Sequence, residues 1–501
     1  MAFPDTVTLD LRLKDDILDF DGTNDEVDMG DVLDQTSSFS IEAWIKPDLL
    51  PGTEMRIFSK DTGSAGWALS IGASAARTIR MTTRDLGTTT LDSSATLEKG
   101  IWQHVAGVFD TTANTVTLYW NGGQVGQNTS VTGDPVGNAA VLSIGADKEG
   151  TQFYFDGKIR DVRLWSDARS AAEVLANMEV ELVGNEANLA GYWKLDEGSG
   201  TTANDSKSGG TADGTITGAS WLTAGGPFWT DVLADVRKRE GIRNRYGIMG
   251  QEEGDRIGGT GSMEFWLKND DSNSGGLEGY YSPDHANART GFEIGIETRL
   301  KLTEGATSYV KHRGRINLID PEPGIKRTRR VKVQSLDWMA AATLHKMSLL
   351  ALGKNVRSDV FMGSIVDNVA MGPVKRSFAV GQETFAYAGD DLRDERVTAF
   401  AGMSRVMLSE FGYCFVIGDT DQGGLLKWQD RHERVKNQTV EKTFVQADLI
   451  AMKAPRSERN IRNRVEAMKC STRCRPRSRS TPPRRAPSKA SSVIRATGMR
   501  V

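Results

Sequence analysis

The chain has 501 residues, a hydrophobic fraction of 38% and a formal net charge of −4, too long for one ordinary domain and apolar enough for more than one core. The near-neutral total hides an asymmetry: no Asp or Glu follows Glu466, while Lys469 to Arg500 carries ten Lys and Arg, so an acidic body precedes a basic end. No apolar run approaches the ~20 residues of a membrane span, and the first residues lack a basic start followed by an apolar stretch. The expectation is a soluble chain made in the cytoplasm, without membrane insertion.

Glycine (53) far outnumbers proline (14), which suits a turn-rich β protein. From Leu18 to about Trp221 the chain reads as short strands between Gly, Asn and Asp turns. Residues 40–46 alternate, with Ile41, Ala43 and Ile45 on one face and Glu42, Trp44 and Lys46 on the other. Residues 102–109 and 115–120 follow the same habit, the latter closed by the hairpin dipeptide Asn121-Gly122. Residues 141–145 and 157–165 continue it, and the series predicts a two-sheet sandwich or barrel. Ser170 followed by Glu173 is a capping-box signature and predicts one short helix there.

Past Trp229 the texture changes. Strands are predicted over 262–267, 298–303, 313–319 and 330–335, then helices from Asp337, over 359–369 and over 392–410, then strands over 413–418 and 424–428. In the last helix Val397, Phe400, Ala401, Ser404, Met407, Leu408 and Phe411 recur near the 3.6-residue period. The fold class is therefore mainly β: a front two-sheet sandwich, an α+β region behind it and a basic end, from about 467 to 501, too poor in apolar residues to fold alone. The expected division is 6–228, 229–340, 341–466 and 467–501.

Residues 6–228 resemble the laminin-G-like, concanavalin A-like jelly-roll domains. The phrases that carry this are 18–27 (LDFDGTNDEV), 39–47 (FSIEAWIKP), 102–110 with 118–122, 155–165 (FDGKIRDVRLW) and 189–200 (LAGYWKLDEGSG), in that order. The resemblance implies ligand binding at loop edges, often of glycans, and in many relatives a calcium ion. Candidate calcium ligands are Asp21, Asn24 and Asp25 in one turn, with Asp156 and Asp161 near a later strand. Asp21 and Asp156 lead because each stands in an Asp-Gly turn. The plainer alternative is that these residues cap turns. Trp44, Trp165 and Trp193 sit in strand patterns, as core or as sugar-stacking surfaces.

Residues 229–466 resemble tail proteins of long-tailed bacteriophages, of the tail-tip or baseplate kind, through 261–269 (GSMEFWLKN), 281–285 (YSPDH), 295–302, 313–324 (RGRINLIDPEPG), 331–338 and 423–428. This resemblance is architectural and transfers no catalytic residue. It implies a virion protein assembled in the host cytoplasm, with other tail proteins, host surface glycans and copies of itself as partners. The basic end has three open readings: a shifted reading frame, a phosphate-binding tail for nucleic acid, or a solvated extension. With no aromatic among its arginines, nucleic acid is the disfavoured partner.

Little points to catalysis. His104, His285, His312, His345 and His432 fall in no His-Glu-x-x-His motif, and there is no nucleophile elbow or phosphate loop. Glu42 reads as an isolated carboxylate, and Glu179 with Glu181 falls just past the short helix. The expectation is a protein that is not an enzyme, its alternatives being a secreted lectin or a carbohydrate-active enzyme with a binding module. Cys414, in an apolar run, is expected as a buried thiol, and Cys470 with Cys474 lacks the companion pair of a zinc site.

Overall fold

The computed structural model describes residues 5–433 except 51–52, 73–76, 85–89, 148–152, 248–256, 306, 323–328, 348–349, 390–396, 421 and 431, together with the strands Ala451–Lys453 and Glu466–Met468. Cys470, Cys474 and the basic residues 469–501 lie outside the described residues. The architecture is mainly β, as the strand patterns predict.

Two eight-stranded antiparallel sheets form the front sandwich. One runs Gly123–Asn128, Thr115–Trp120, Gln103–Asp110, Phe39–Pro47, Asp156–Trp165, Lys14–Asp21, Ser220–Gly225, with Leu189–Trp193 also paired to Asp156–Trp165. The other runs Thr202–Ala203, Gly214–Thr217, Glu26–Asp28, Ser143–Ile144, Met55–Asp61, Gly66–Ile71, Ile79–Thr83, Thr90–Asp92. The alternation over 40–46 works as expected on the inner side: Ile41, Ala43 and Ile45 join Phe39, Phe58, Trp67 and Trp193 in the core between the sheets. Phe58 meets Trp67 and Trp193 edge to face at centroid distances of 5.3 and 5.5 Å.

The outer side departs from the pattern. Glu42 and Trp44 are buried too, because the chain after Trp165 folds back over that face. Its helix, Ala171–Asn177, starts at Ser170 with the full capping box. Beyond it the Met178 carbonyl accepts the Trp44 indole N–H at 2.7 Å, and Glu179 pairs with Arg299 of the next module at 2.6 Å.

The expected boundary at residue 6 is corrected. Thr6–Leu11 belongs to a separate seven-stranded sheet, ordered Thr230–Asp231, Thr6–Leu11, Glu297–Glu304, Thr307–Glu322, Arg330–Leu336, Ser262–Lys268, Ile242–Arg245. It pairs in unbroken register, Thr6 to Thr303 through Leu11 to Thr298. Leu9 and Leu11 pack in that module's core with Phe265, Leu267 and Val333. The sandwich, from Lys14 to Gly225, is thus an insertion between two neighbouring strands of the scaffold. A local sequence pattern could not reveal this, because the pairing partner lies some three hundred residues away.

The two crossings run side by side: Gly226 N–H donates to the Leu13 carbonyl at 3.1 Å and Val232 N–H to the Leu9 carbonyl at 2.8 Å. Behind them the helices Trp338–Leu344, Ser358–Asn368 and Ala399–Glu410 pack with the strands Tyr413–Ile417 and Leu425–Gln429 around Met339, Ile365, Met403 and Trp428. The first and third are capped by Asp337 and Thr398, each of which accepts a backbone N–H. Cys414 is buried in this core, and burial pushes its thiol up to about 12.

Candidate functional site

The sandwich offers a rim where loops meet, a set of indoles and a set of carboxylates. At the rim, strand pairing sets Asp156 opposite Asp21. Gly22 lets the turn pass: its φ is +77°, and a Cβ there would sit 3.0 Å from that of Asp156. Asp21 accepts the Thr23 N–H at 2.8 Å, and Asp25 accepts the Asp21 N–H at 2.6 Å, so both carboxylates serve the turn itself. Asn24 stands exposed at its tip. Burial raises the Asp25 carboxyl above the usual range, and burial together with the nearby Asp48 raises Asp156. Lys158 contacts Asp48, and its ammonium lies 3.0 Å from Asp19.

Asp161 is elsewhere. It is buried on the outer side of the sheet in a left-handed conformation, φ +57°, where the Tyr192 hydroxyl donates to it at 2.6 Å and Arg163 pairs with it at 2.5 Å. The structure therefore brings Asp21, Asn24, Asp25 and Asp156 to one rim and separates Asp161 from them. Calcium requires six to eight oxygens converging on one point. Among the described residues no three His, Cys, Asp or Glu side chains converge closely enough to hold a metal. As placed, these residues do not fit the ion.

The three indoles singled out in the sequence are all core. Trp44, Trp165 and Trp193 are fully buried. Trp193 donates to the Ala212 carbonyl at 2.8 Å, and the Arg169 guanidinium lies 4.0 Å over Trp165. The half-buried indoles of the sandwich are instead Trp120, at the end of its strand, and Trp221, which donates to the Gly200 carbonyl at 2.9 Å.

Glu42 is not isolated, and the reason is tertiary. It lies 3.4 Å from the His104 ring and 3.5 Å from Arg163, which also holds Asp161. Burial raises its carboxyl, but the adjacent His104 ring and Arg163 guanidinium outweigh that and leave it below the usual range. A glycosidase needs two carboxyl groups flanking an open cleft. Glu42 and Asp161 are each 1% exposed, sealed under residues 177–180, whose Asn177 and Val180 carbonyls accept from Arg163 Nη1 and Nη2. Buried in this way, the pair meets no substrate and acts as a structural network. Glu179 likewise is spent on the ion pair with Arg299.

Sequence reading missed the junction. Trp229 is stacked by three guanidinium groups, Arg12 at 4.3 Å, Arg299 at 4.4 Å and Arg313 at 5.3 Å. Beside it Glu297 accepts from Arg12 and Arg313 at 3.0 Å and from Arg315 at 2.9 Å. Burial raises the Glu297 carboxyl, yet these guanidinium groups outweigh it and hold the group far below the usual carboxylate range. Burial brings Arg12 down to about 9. The one available signal was the density of arginine around strand-like segments, which does not say which arginines meet.

The two facing antiparallel sheets form a sandwich of the jelly-roll kind with one outer face covered. Residues 21–175 match the family model described as the concanavalin A-like lectin/glucanases superfamily. Among solved structures, a Bacteroides ovatus protein described as carbohydrate binding is 23% identical with a TM-score of 0.36, covering 43% of this chain and 62% of its own. The heptameric SAP-like pentraxin of Limulus polyphemus is 19% identical with a TM-score of 0.31, covering 40% of this chain and 95% of that one. Domain 4 of AbnA, an extracellular arabinanase of Geobacillus stearothermophilus solved with arabinotriose, is 20% identical with a TM-score of 0.26, covering 32% and 74%. The chain thus spans less than two thirds of the Bacteroides structure. No curated protein matches it.

Proposed function

We propose that this chain is a glycan-binding adhesive protein whose jelly roll is carried on a scaffold, and that it serves in a bacteriophage tail. The observation that carries the glycan-binding part is the two-sheet sandwich, matched over residues 21–175 to a lectin and glucanase superfamily.

What supports the tail reading is the mounting of the sandwich. The sandwich is joined to the scaffold by two adjacent crossings that flank the scaffold strand Thr6–Leu11 and by the buried cluster around Trp229 and Glu297. A flexible linker would do for a free lectin. A domain that must hold a particle to a cell gains from a stiff attachment. On this reading the sandwich meets host envelope glycans, while the scaffold meets other tail proteins and further copies of the chain.

The test uses the full chain on an array of bacterial envelope polysaccharides, with its mass in solution measured by light scattering. Saturable binding to particular glycans by an assembled ring or trimer is expected. A monomer that binds glycans would leave a free lectin, and no binding to any polysaccharide would remove the adhesive role.

A further inference from the structure

Between the sandwich and the helical region lies a cleft of about 340 Å³ whose lining includes Arg77, Thr96, Glu98, Trp120, Asp367, Lys375 and Arg376. Its volume falls within the roughly 300–1,000 Å³ of small-molecule sites. Its lining differs from the apolar walls usual there: one indole and a chain of fixed, alternating donors and acceptors.

That chain is held on both sides. Arg77 binds Asp367 through two N–H groups at 3.0 Å each, and Arg376 lies 3.0 Å from the same carboxylate. Arg376 also grips Glu98 through two bonds of 2.5 Å. The Trp120 indole donates to Gln103 at 3.1 Å, and Gln103 in turn donates to the Glu98 carbonyl at 2.7 Å, so ring and ion pairs are fastened to one loop. Arg77, Asp367 and Arg376 remain partly open, at 26%, 34% and 21% exposed, whereas Glu98 is buried. Each lining charge has an opposite partner: Arg77 and Arg376 meet Asp367 and Glu98, and Lys375 lies 3.8 Å from Asp419, which stands behind the lining.

We propose that this cleft is the glycan site, and that its occupant is an uncharged pyranose unit lying on Trp120 with its hydroxyls directed at Arg77, Asp367 and Arg376. An indole supplies apolar area for the C–H face of a sugar at low entropic cost, and planar guanidinium and carboxylate groups pair with adjacent hydroxyls. Because each lining charge is already paired within the protein, none is left over to select an acidic sugar. The site rests on the glycan-binding reading above and adds its location and ligand class. It also makes the helical region part of the binding surface, since Asp367 and Arg376 belong to it.

The experiment presents full-length protein with an array of uncharged and uronic-acid-containing bacterial oligosaccharides, then titrates the best probe by calorimetry against wild type, Trp120→Ala and Thr96→Trp. Thr96 is exposed on the cleft wall, so Thr96→Trp fills the space without touching the core and decides the matter should Trp120→Ala unfold. Expected is an uncharged probe, bound by wild type and weakened at least tenfold in both variants, with the melting temperature unchanged in Thr96→Trp. Wild-type binding that survives Thr96→Trp in full places the site elsewhere and overturns this inference while glycan binding stands. Capture of acidic probes alone overturns the ligand class. No binding by wild type removes the glycan reading and the site with it.

Discussion

Glu297 provides the sharpest test of how the sandwich is fastened to its scaffold. Its carboxylate lies 3.0 Å from Arg12, on the entering crossing, and 3.0 Å from Arg313 and 2.9 Å from Arg315, on the neighbouring scaffold strand. Arg12 is 1% exposed and Arg313 2%. Removing the carboxylate in Glu297→Ala leaves two buried cations unanswered, and breaking such a pair costs about 3–5 kcal/mol. For a module of this size, at roughly 2–4 °C per kcal/mol, the scaffold transition should fall on the order of 10 °C.

The same residue has a pH signature. Its folded pKa is depressed, so its contribution is fully present above the unfolded value near 4.5 and is lost as pH falls below that toward the folded one. The gap between wild type and Glu297→Ala, read by calorimetry, should therefore narrow as pH drops from about 5 toward 3. Glu304→Ala, exposed at the end of the same strand, is the control. A Glu297→Ala protein that melts within 1 °C of that control at neutral pH would refute the idea that this cluster fastens the two modules.

Four further outcomes are expected. Trp193→Ala, in the sandwich core, should cost about 3–5 kcal/mol and weaken the near-ultraviolet dichroism of the whole domain; selective loss of glycan binding in a stable fold would contradict its burial. Deleting residues 1–13 should destabilise the scaffold rather than the sandwich, since Thr6–Leu11 fills the place between Thr230–Asp231 and Glu297–Glu304, and limited proteolysis would show which module is cut first. Burial raises Asp337 to about 7, so its contribution is present below pH ~4 and lost as pH rises through 7; Asp337→Asn should flatten that slope in a pH series of urea midpoints. Chelator or added calcium should leave the melting temperature unchanged to about 1 °C, because Asp21, Asn24, Asp25 and Asp156 form no preorganised cage; a rise on adding calcium would mean that the rim rearranges around the ion.

What the sequence by itself determined is local. Alternation over 40–46 named the inward-facing Ile41, Ala43 and Ile45; Ser170 and Glu173 announced a helix that starts there; and Asn121-Gly122 closed a hairpin. Each depends on neighbours a few residues apart, so the physics is readable in one window. The rim was half legible for the same reason: Asp21, Asn24 and Asp25 share a turn, and strand register brings Asp156 to it. Asp161, five residues farther along, would face the core by simple alternation; a left-handed φ of +57° and the register shift there turn it to the outer face, away from the rim, beside Arg163 and Tyr192.

Tertiary structure alone decided the rest. Glu42 reads as isolated until His104 and Arg163 arrive from other strands, and Trp44 reads as outward until residues 177–180 close over it. Thr6–Leu11 looks like the start of the sandwich but pairs with Glu297–Glu304, and Trp120 faces Asp367 and Arg376 only because two modules meet there. Such contacts are set by which surfaces bury each other across hundreds of residues, and no periodicity within a segment encodes its partner.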